Sequence, residues 1–167
     1  MITELSYEEW LLTVDKMVTR WSMWRLEVYR LSMYLGELAF LDLDRILAQQ
    51  PAFEGGDFIL QASKIGAKIA FGHGPGFRTI QLEGFNEALE SAWAARQWYE
   101  VVSDWLGVER TRHRLQIIDI VTNNLLLLTQ VPHGFDPDAY DDEHWDDPVD
   151  RDEEWEEGDD TNDDFIF

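Results

Sequence analysis

The chain has 167 residues and no cysteine, so one domain is expected and disulfides, thiolate metal sites and cysteine nucleophiles are excluded. Its 34 acidic residues outnumber 13 basic ones, a formal net charge of −21. The excess is segregated, because residues 1–135 carry 17 acids and 12 bases whereas residues 136–167 carry 17 acids and only Arg151.

In chain order, the first signal is an apolar stripe. Trp10, Val14, Met17, Trp21, Trp24, Val28, Leu31, Leu35 and Leu38 alternate steps of four and three, the seam of a heptad helix. Ser6 followed by Glu9 is a capping box. Asp42 falls where the seam should continue, and Leu43, Ile46 and Leu47 form a shifted stripe. One long helix over 6–49 is predicted, bent near Gly36 or Asp42, because unbroken it would span roughly 65 Å. Pro51 to Gly56 forms a linker, and Asp57 is predicted to cap a second helix with Phe58, Ala62, Ile65 and Ile69 at three-four spacing. Gly66 and Ala67 suit a close helix neighbour there. The glycine-rich stretch 72–76 ends it. A third helix is predicted over 79–106, with Phe85, Leu89, Ala92, Tyr99, Val102 and Leu106 inward and Gly107 as its stop. A fourth follows over 109–130, closed by Pro132-His133-Gly134. Almost nothing alternates with period two. The fold class expected is therefore all-α, an up-down-up-down four-helix bundle over 1–135, followed by a disordered acidic tail over 136–167.

The stretch Leu60-Gln61-Ala62-Ser63-Lys64-Ile65-Gly66-Ala67-Lys68-Ile69-Ala70-Phe71-Gly72-His73-Gly74 resembles the second helix of the bacterial four-helix bundle family first noted in 23S ribosomal RNA intervening sequences. The accessory variability protein of diversity-generating retroelements shares that fold group. Phe85-Asn86-Glu87-Ala88-Leu89-Glu90-Ser91-Ala92 resembles the start of the family's third helix, and Trp105-Leu106-Gly107 its end. The family's Asn and Glu in the second helix are Lys68 and Phe71 here, the first helix is longer, and the acidic tail is extra. The resemblance implies a small oligomeric bundle without catalytic activity. In the retroelement branch it also implies RNA binding and a reverse transcriptase as partner.

No constellation nominates an enzyme, a metal centre or a cofactor. His73, His113, His133 and His144 lack ligand partners at helical spacing, and the glycine-rich turn around His73 has no phosphate-loop Lys-Ser/Thr. Asp136, Asp138 and Tyr140 open like a calcium loop, but Asp141 stands where its glycine is needed. Lys64, Lys68, Arg110, Arg112 and Arg114 form a candidate patch for RNA, single-stranded nucleic acid or the tail. Nine of the fourteen residues 115–128 are apolar, more than a surface helix needs, and a second stripe runs along the third helix. Trp98, Val101, Trp105, Ile117 and Ile120 are accordingly the expected homo-oligomer interface. In the tail, Trp145, Trp155, Phe165 and Phe167 punctuate the acids, the pattern of a segment that docks on a basic partner. Asp163-Asp164-Phe165-Ile166-Phe167 is similar to the acidic tip of single-stranded-DNA-binding proteins, without its proline.

The four leucines at 125–128 are as long as apolar runs become, far short of the ~20 residues of a membrane span. The acidic opening is unlike a secretory or transit peptide. The reading that follows is a cytoplasmic, non-enzymatic, oligomeric adaptor whose acidic tail engages a basic protein. Two alternatives stand beside it: a nucleic-acid-binding accessory of a reverse transcriptase with an autoinhibitory tail, and a nucleic-acid mimic.

Overall fold

A computed structural model describes residues 4–20, 22–74 and 77–130. The expectations placed on Trp145, Trp155, Phe165 and Phe167 lie outside the described residues, as do those on Trp21, Pro75 and Gly76. The described residues form helices and turns with no strand. The helices are α1 (Tyr7–Thr13), α2 (Glu27–Gln49), α3 (Gly56–Gly72), α4 (Arg78–Val101), α5 (Ser103–Leu106) and α6 (Val108–Gln130).

The predicted long first helix is two helices separated by a reversal of the chain. Ser6 and Glu9 do form the capping box: Glu9 N donates to Ser6 Oγ at 3.2 Å, and Ser6 N to Glu9 Oε2 at 2.9 Å. But Val14 is extended (φ −66°, ψ 136°), and the Asp15 carboxylate accepts the Met17 amide at 2.6 Å, starting a turn instead of another helical one. Two short 3-10 turns, Val18–Arg20 and Ser22–Arg25, complete the reversal. Arg30 Nη1 anchors the second by donating to the Trp24 carbonyl at 2.8 Å. As a result Trp10 Nε1 donates to Glu37 Oε2 at 2.7 Å, a pair that one continuous helix would hold roughly 40 Å apart. The heptad-like stripe is therefore a folded-back aromatic cluster. The Trp10 ring lies 5.9 Å from that of Trp24 and 5.4 Å from that of Tyr34, centroid to centroid.

No break falls at Gly36 or Asp42, because α2 runs as one helix from Glu27 to Gln49. Asp57 is not a cap: Gly55 holds that position, and the Asp57 carboxylate accepts Trp98 Nε1 at 3.2 Å. The predicted third helix breaks at Val102 (φ −89°, ψ 2°) into α4 and α5. Gly107, at φ 92° and ψ 147°, then turns the chain into α6, a conformation that only glycine adopts at little cost.

α3 packs on α2 and α4, and α6 packs on α2 and α4. The α3–α4 contact is the tightest. A methyl on Gly84 would lie 2.6 Å from the Gly72 Cα, and one on Gly72 would lie 2.9 Å from the Gln81 carbonyl. Gly66 meets α2, where a methyl would reach to 3.0 Å from Met33 Sδ, whereas Ala67 is exposed. Phe58, Ile65, Phe85, Tyr99, Ile118 and Leu125 are fully buried between these helices. No described helix is long and apolar enough to cross a membrane.

Candidate functional site

The interior carries charge. On α6 the buried residues Thr111, Arg114, Ile118, Val121 and Leu125 are spaced three, four, three and four, so Arg114 occupies a core position. On α2 the same holds for Asp42, which follows Leu35 and Leu38 in the stripe. Both side chains are 0 % exposed and they meet. Arg114 Nε donates to Asp42 Oδ2 at 2.8 Å and Nη2 donates to Oδ1 at 3.0 Å, the two-pronged geometry that makes Arg–carboxylate pairs strong. Tyr99 of α4 donates its hydroxyl to Asp42 Oδ2 at 3.3 Å.

The cluster continues toward the surface. Arg114 Nη1 donates to Glu4 Oε1 at 2.8 Å. Arg45 Nη1 bridges Asp42 Oδ1 at 2.8 Å and Glu4 Oε2 at 2.9 Å. Arg110 Nε lies 3.8 Å from Glu4 Oε2. His113 Nδ1 lies 2.6 Å from Arg114 Nη1; because a guanidinium only donates, that nitrogen accepts and the imidazole keeps its proton on Nε2. Beside these groups opens a cavity of about 640 Å³ lined in part by Glu4, Tyr34, Val108, Glu109, Arg110 and His113.

The electrostatics follow from this packing. The hydrogen bond from Arg114 holds the Glu4 carboxyl below its ordinary range, against the opposing effect of burial. Burial, reinforced by the neighbouring Arg114 charge, lowers the His113 pKa. Burial disfavours the Arg114 charge, but the hydrogen bonds to Asp42 and Glu4 outweigh it and raise its pKa. Burial and the Asp42 charge push the Tyr99 hydroxyl well above its ordinary value.

Of the patch expected from sequence, Arg114 is corrected: its side chain is 0 % exposed and its guanidinium is occupied by Asp42 and Glu4, so it is no part of the outer surface. Arg112 reaches the surface but pairs with Glu109 at 2.7 Å, and Lys68 pairs with Glu87. Lys64 and Lys68 stand on α3, which neighbours α2 and α4, while Arg110 and Arg112 open α6. The five are not brought to one surface. Among the expected interface residues, Val101 (61 %) and Ile120 (46 %) are exposed, whereas Ile117 (5 %) belongs to the core. Trp98 and Trp105 are half-buried against Phe53, ring centroids 6.0 and 5.7 Å away.

Glu4, Arg45, His113 and the Asp42–Arg114 pair escaped the sequence reading. The signal was present: an acid in the seam of one helix and a base in the seam of another call for each other, since a buried charge without a partner is too costly to keep. Among the described residues no group of three or more His, Asp or Glu side chains could hold a metal ion. No family model, curated protein or solved structure matches the chain.

Proposed function

We propose that the chain is a non-catalytic adaptor: an oligomeric, up-down-up-down four-helix bundle whose acidic segment, residues 136–167, engages a basic protein partner in the cytoplasm. Charge segregation carries this reading. Residues 136–167 hold 17 acids and Arg151 alone as a base, and aromatic residues recur among the acids, which solubility by itself would not require. Six of the twelve bases in residues 1–135 meet the bundle's own acids among the described ion pairs, as in Arg45–Glu4, Lys68–Glu87, Arg96–Asp119 and Arg112–Glu109. An RNA-binding surface draws no comparable support.

The bundle topology is supported by contacts whose residue numbers run in opposite directions. A methyl on Gly36 would meet Ser63, whereas one on Gly66 would meet Ser32 and Met33. Asp57 bonds Trp98 and Lys68 pairs with Glu87. Arg78 donates to the Leu128 carbonyl and Arg96 pairs with Asp119.

Calorimetric titration with an arginine-rich peptide tests the adaptor reading. The full chain is expected to bind, with affinity falling as salt rises, and a chain ending at residue 135 is expected not to. Replacing Trp145, Trp155, Phe165 and Phe167 with Ala should weaken binding at unchanged charge. Equal binding by the truncated chain, or indifference to the aromatic substitutions, overturns the reading.

A further inference from the structure

Three guanidinium groups from two helices converge on one carboxylate. Arg114 Nη1 and Arg45 Nη1 lie 2.8 and 2.9 Å from different oxygens of Glu4, and Arg110 Nε lies 3.8 Å from the second of them. One ion pair is enough to tie a chain segment to a helix. Here one of the three cations is wholly buried, and Asp42 is the only other carboxylate in contact with any of them among the described ion pairs. Without Glu4, the three arginines and Asp42 would carry a net charge of +2.

The occupant is also the least anchored member. Glu4 precedes α1 and its cap, outside any helix, and its side chain is 24 % exposed. The neighbouring cavity of about 640 Å³ leaves room for a group larger than a carboxylate. Val108, Glu109 and Arg110 line it; they open α6, so their amides have no intrahelical acceptor and sit at the positive end of the helix dipole. Besides Tyr34, two further ionisable groups face the space. Glu109 is engaged by Arg112, and His113 accepts from Arg114 and so faces it without charge.

We propose that these residues form an oxyanion-binding socket whose resident occupant is Glu4, so that an external phosphate or carboxylate group and the segment before α1 compete for Arg45, Arg110 and Arg114. Glu4 is tethered, which gives it a high effective concentration. A single weakly held anion does not displace it. A phosphate, with three acceptor oxygens and up to two charges, has the contacts to do so. Displacement would free the segment that now rests on Tyr34, whose hydroxyl donates to the Leu5 carbonyl at 2.6 Å.

The test uses the full chain as wild type, as Glu4→Gln, and as Glu4→Gln combined with Arg45→Gln and Arg110→Gln. Asp42 and Arg114 stay in place, because removing either strands a buried charge. Thermal unfolding is followed in inorganic phosphate, in succinate, and in sodium chloride at matched ionic strength. Phosphate is expected to raise the midpoint of the Glu4→Gln protein by several degrees, with an affinity at least ~10-fold tighter than for wild type. The triple variant should not respond. Succinate reads out whether a carboxylate can take the same place. An equal response of wild type and Glu4→Gln, no response of Glu4→Gln to either anion, or a response retained in the triple variant overturns the proposal. Hydrogen exchange on the wild type needs no substitution: saturating phosphate should speed exchange at the amides of residues 5–10, and unchanged protection there overturns the proposal equally.

Discussion

Asp42 and Arg114 show how little of a buried ion pair's role can be read from either partner alone. Each neutralises the other where neither meets water. Replacing Asp42 with Ala leaves the buried guanidinium with only Glu4 and His113 as partners, and a loss of about 3–5 kcal/mol is expected in urea unfolding. Asp42→Leu combined with Arg114→Met should cost less than either single change, since the double variant strands no charge. A double variant worse than both singles would mean that the pair contributes more than mutual neutralisation. The neighbouring His113 sets a pH dependence. Its pKa is lowered on folding from an ordinary 6.5, so the folded chain favours the neutral ring. Stability is complete above ~6.5 and declines as pH falls through the folded value. Glu4, lowered from an ordinary 4.5, adds a second loss as pH falls through its own folded value. The urea midpoint should therefore decline between neutral pH and pH ~5, and His113→Gln should flatten part of that decline. His73, whose pKa is also lowered by burial, keeps the remainder. An unchanged slope in His113→Gln would remove the burial of His113, and with it the Arg114 charge, as its source.

Among the elements, the α3–α4 crossing is set by glycine. At Gly84 an added methyl meets backbone rather than a yielding side chain, 2.5 Å from the Gly72 nitrogen, so the helices must separate. Gly84→Ala is expected to cost about 1–3 kcal/mol, more than a helix-propensity gain returns. Gly56→Ala is the control. Nothing lies within 4 Å of a methyl there, and the change should be neutral or stabilising by a few tenths of a kcal/mol. Equal effects at the two positions, read from chemical denaturation, would show that the crossing tolerates more separation than its geometry indicates. Gly107→Ala should also destabilise, by about 1–3 kcal/mol, because φ 92° is strained for any residue with a Cβ.

For the whole molecule, the proposed self-association is best probed where side chains are free to change. Trp98 and Trp105 hold Phe53 and, through Trp98 Nε1, the first turn of α3, so charging them would damage the fold itself. Val101 and Ile120 are exposed. Val101→Glu with Ile120→Glu should dissociate the assembly at unchanged helicity, as followed by light scattering and circular dichroism. A wild-type chain that scatters as a monomer at micromolar concentration would end the oligomer proposal.

What the sequence by itself determined is the helical class and part of its punctuation. Apolar residues at three-four spacing can bury one face only as a helix, and Gly107 turns the chain because of its own backbone freedom. These are local properties, legible without knowing what each segment touches. Only the tertiary structure decided where the stripe of residues 10–38 is cut, for Trp10 satisfies the same spacing whether it continues a helix or folds back onto Tyr34 and Glu37. The choice rests on the Asp15 turn and on aromatic contacts across more than twenty residues. The candidate site was hidden for a related reason. Arg114 reads as one of a surface run of cations until Asp42, 72 residues earlier, is known to face it. Burial and ion pairing depend on distance in space, and the residues that gather around Glu4 come from two helices that no local spacing connects to it or to each other.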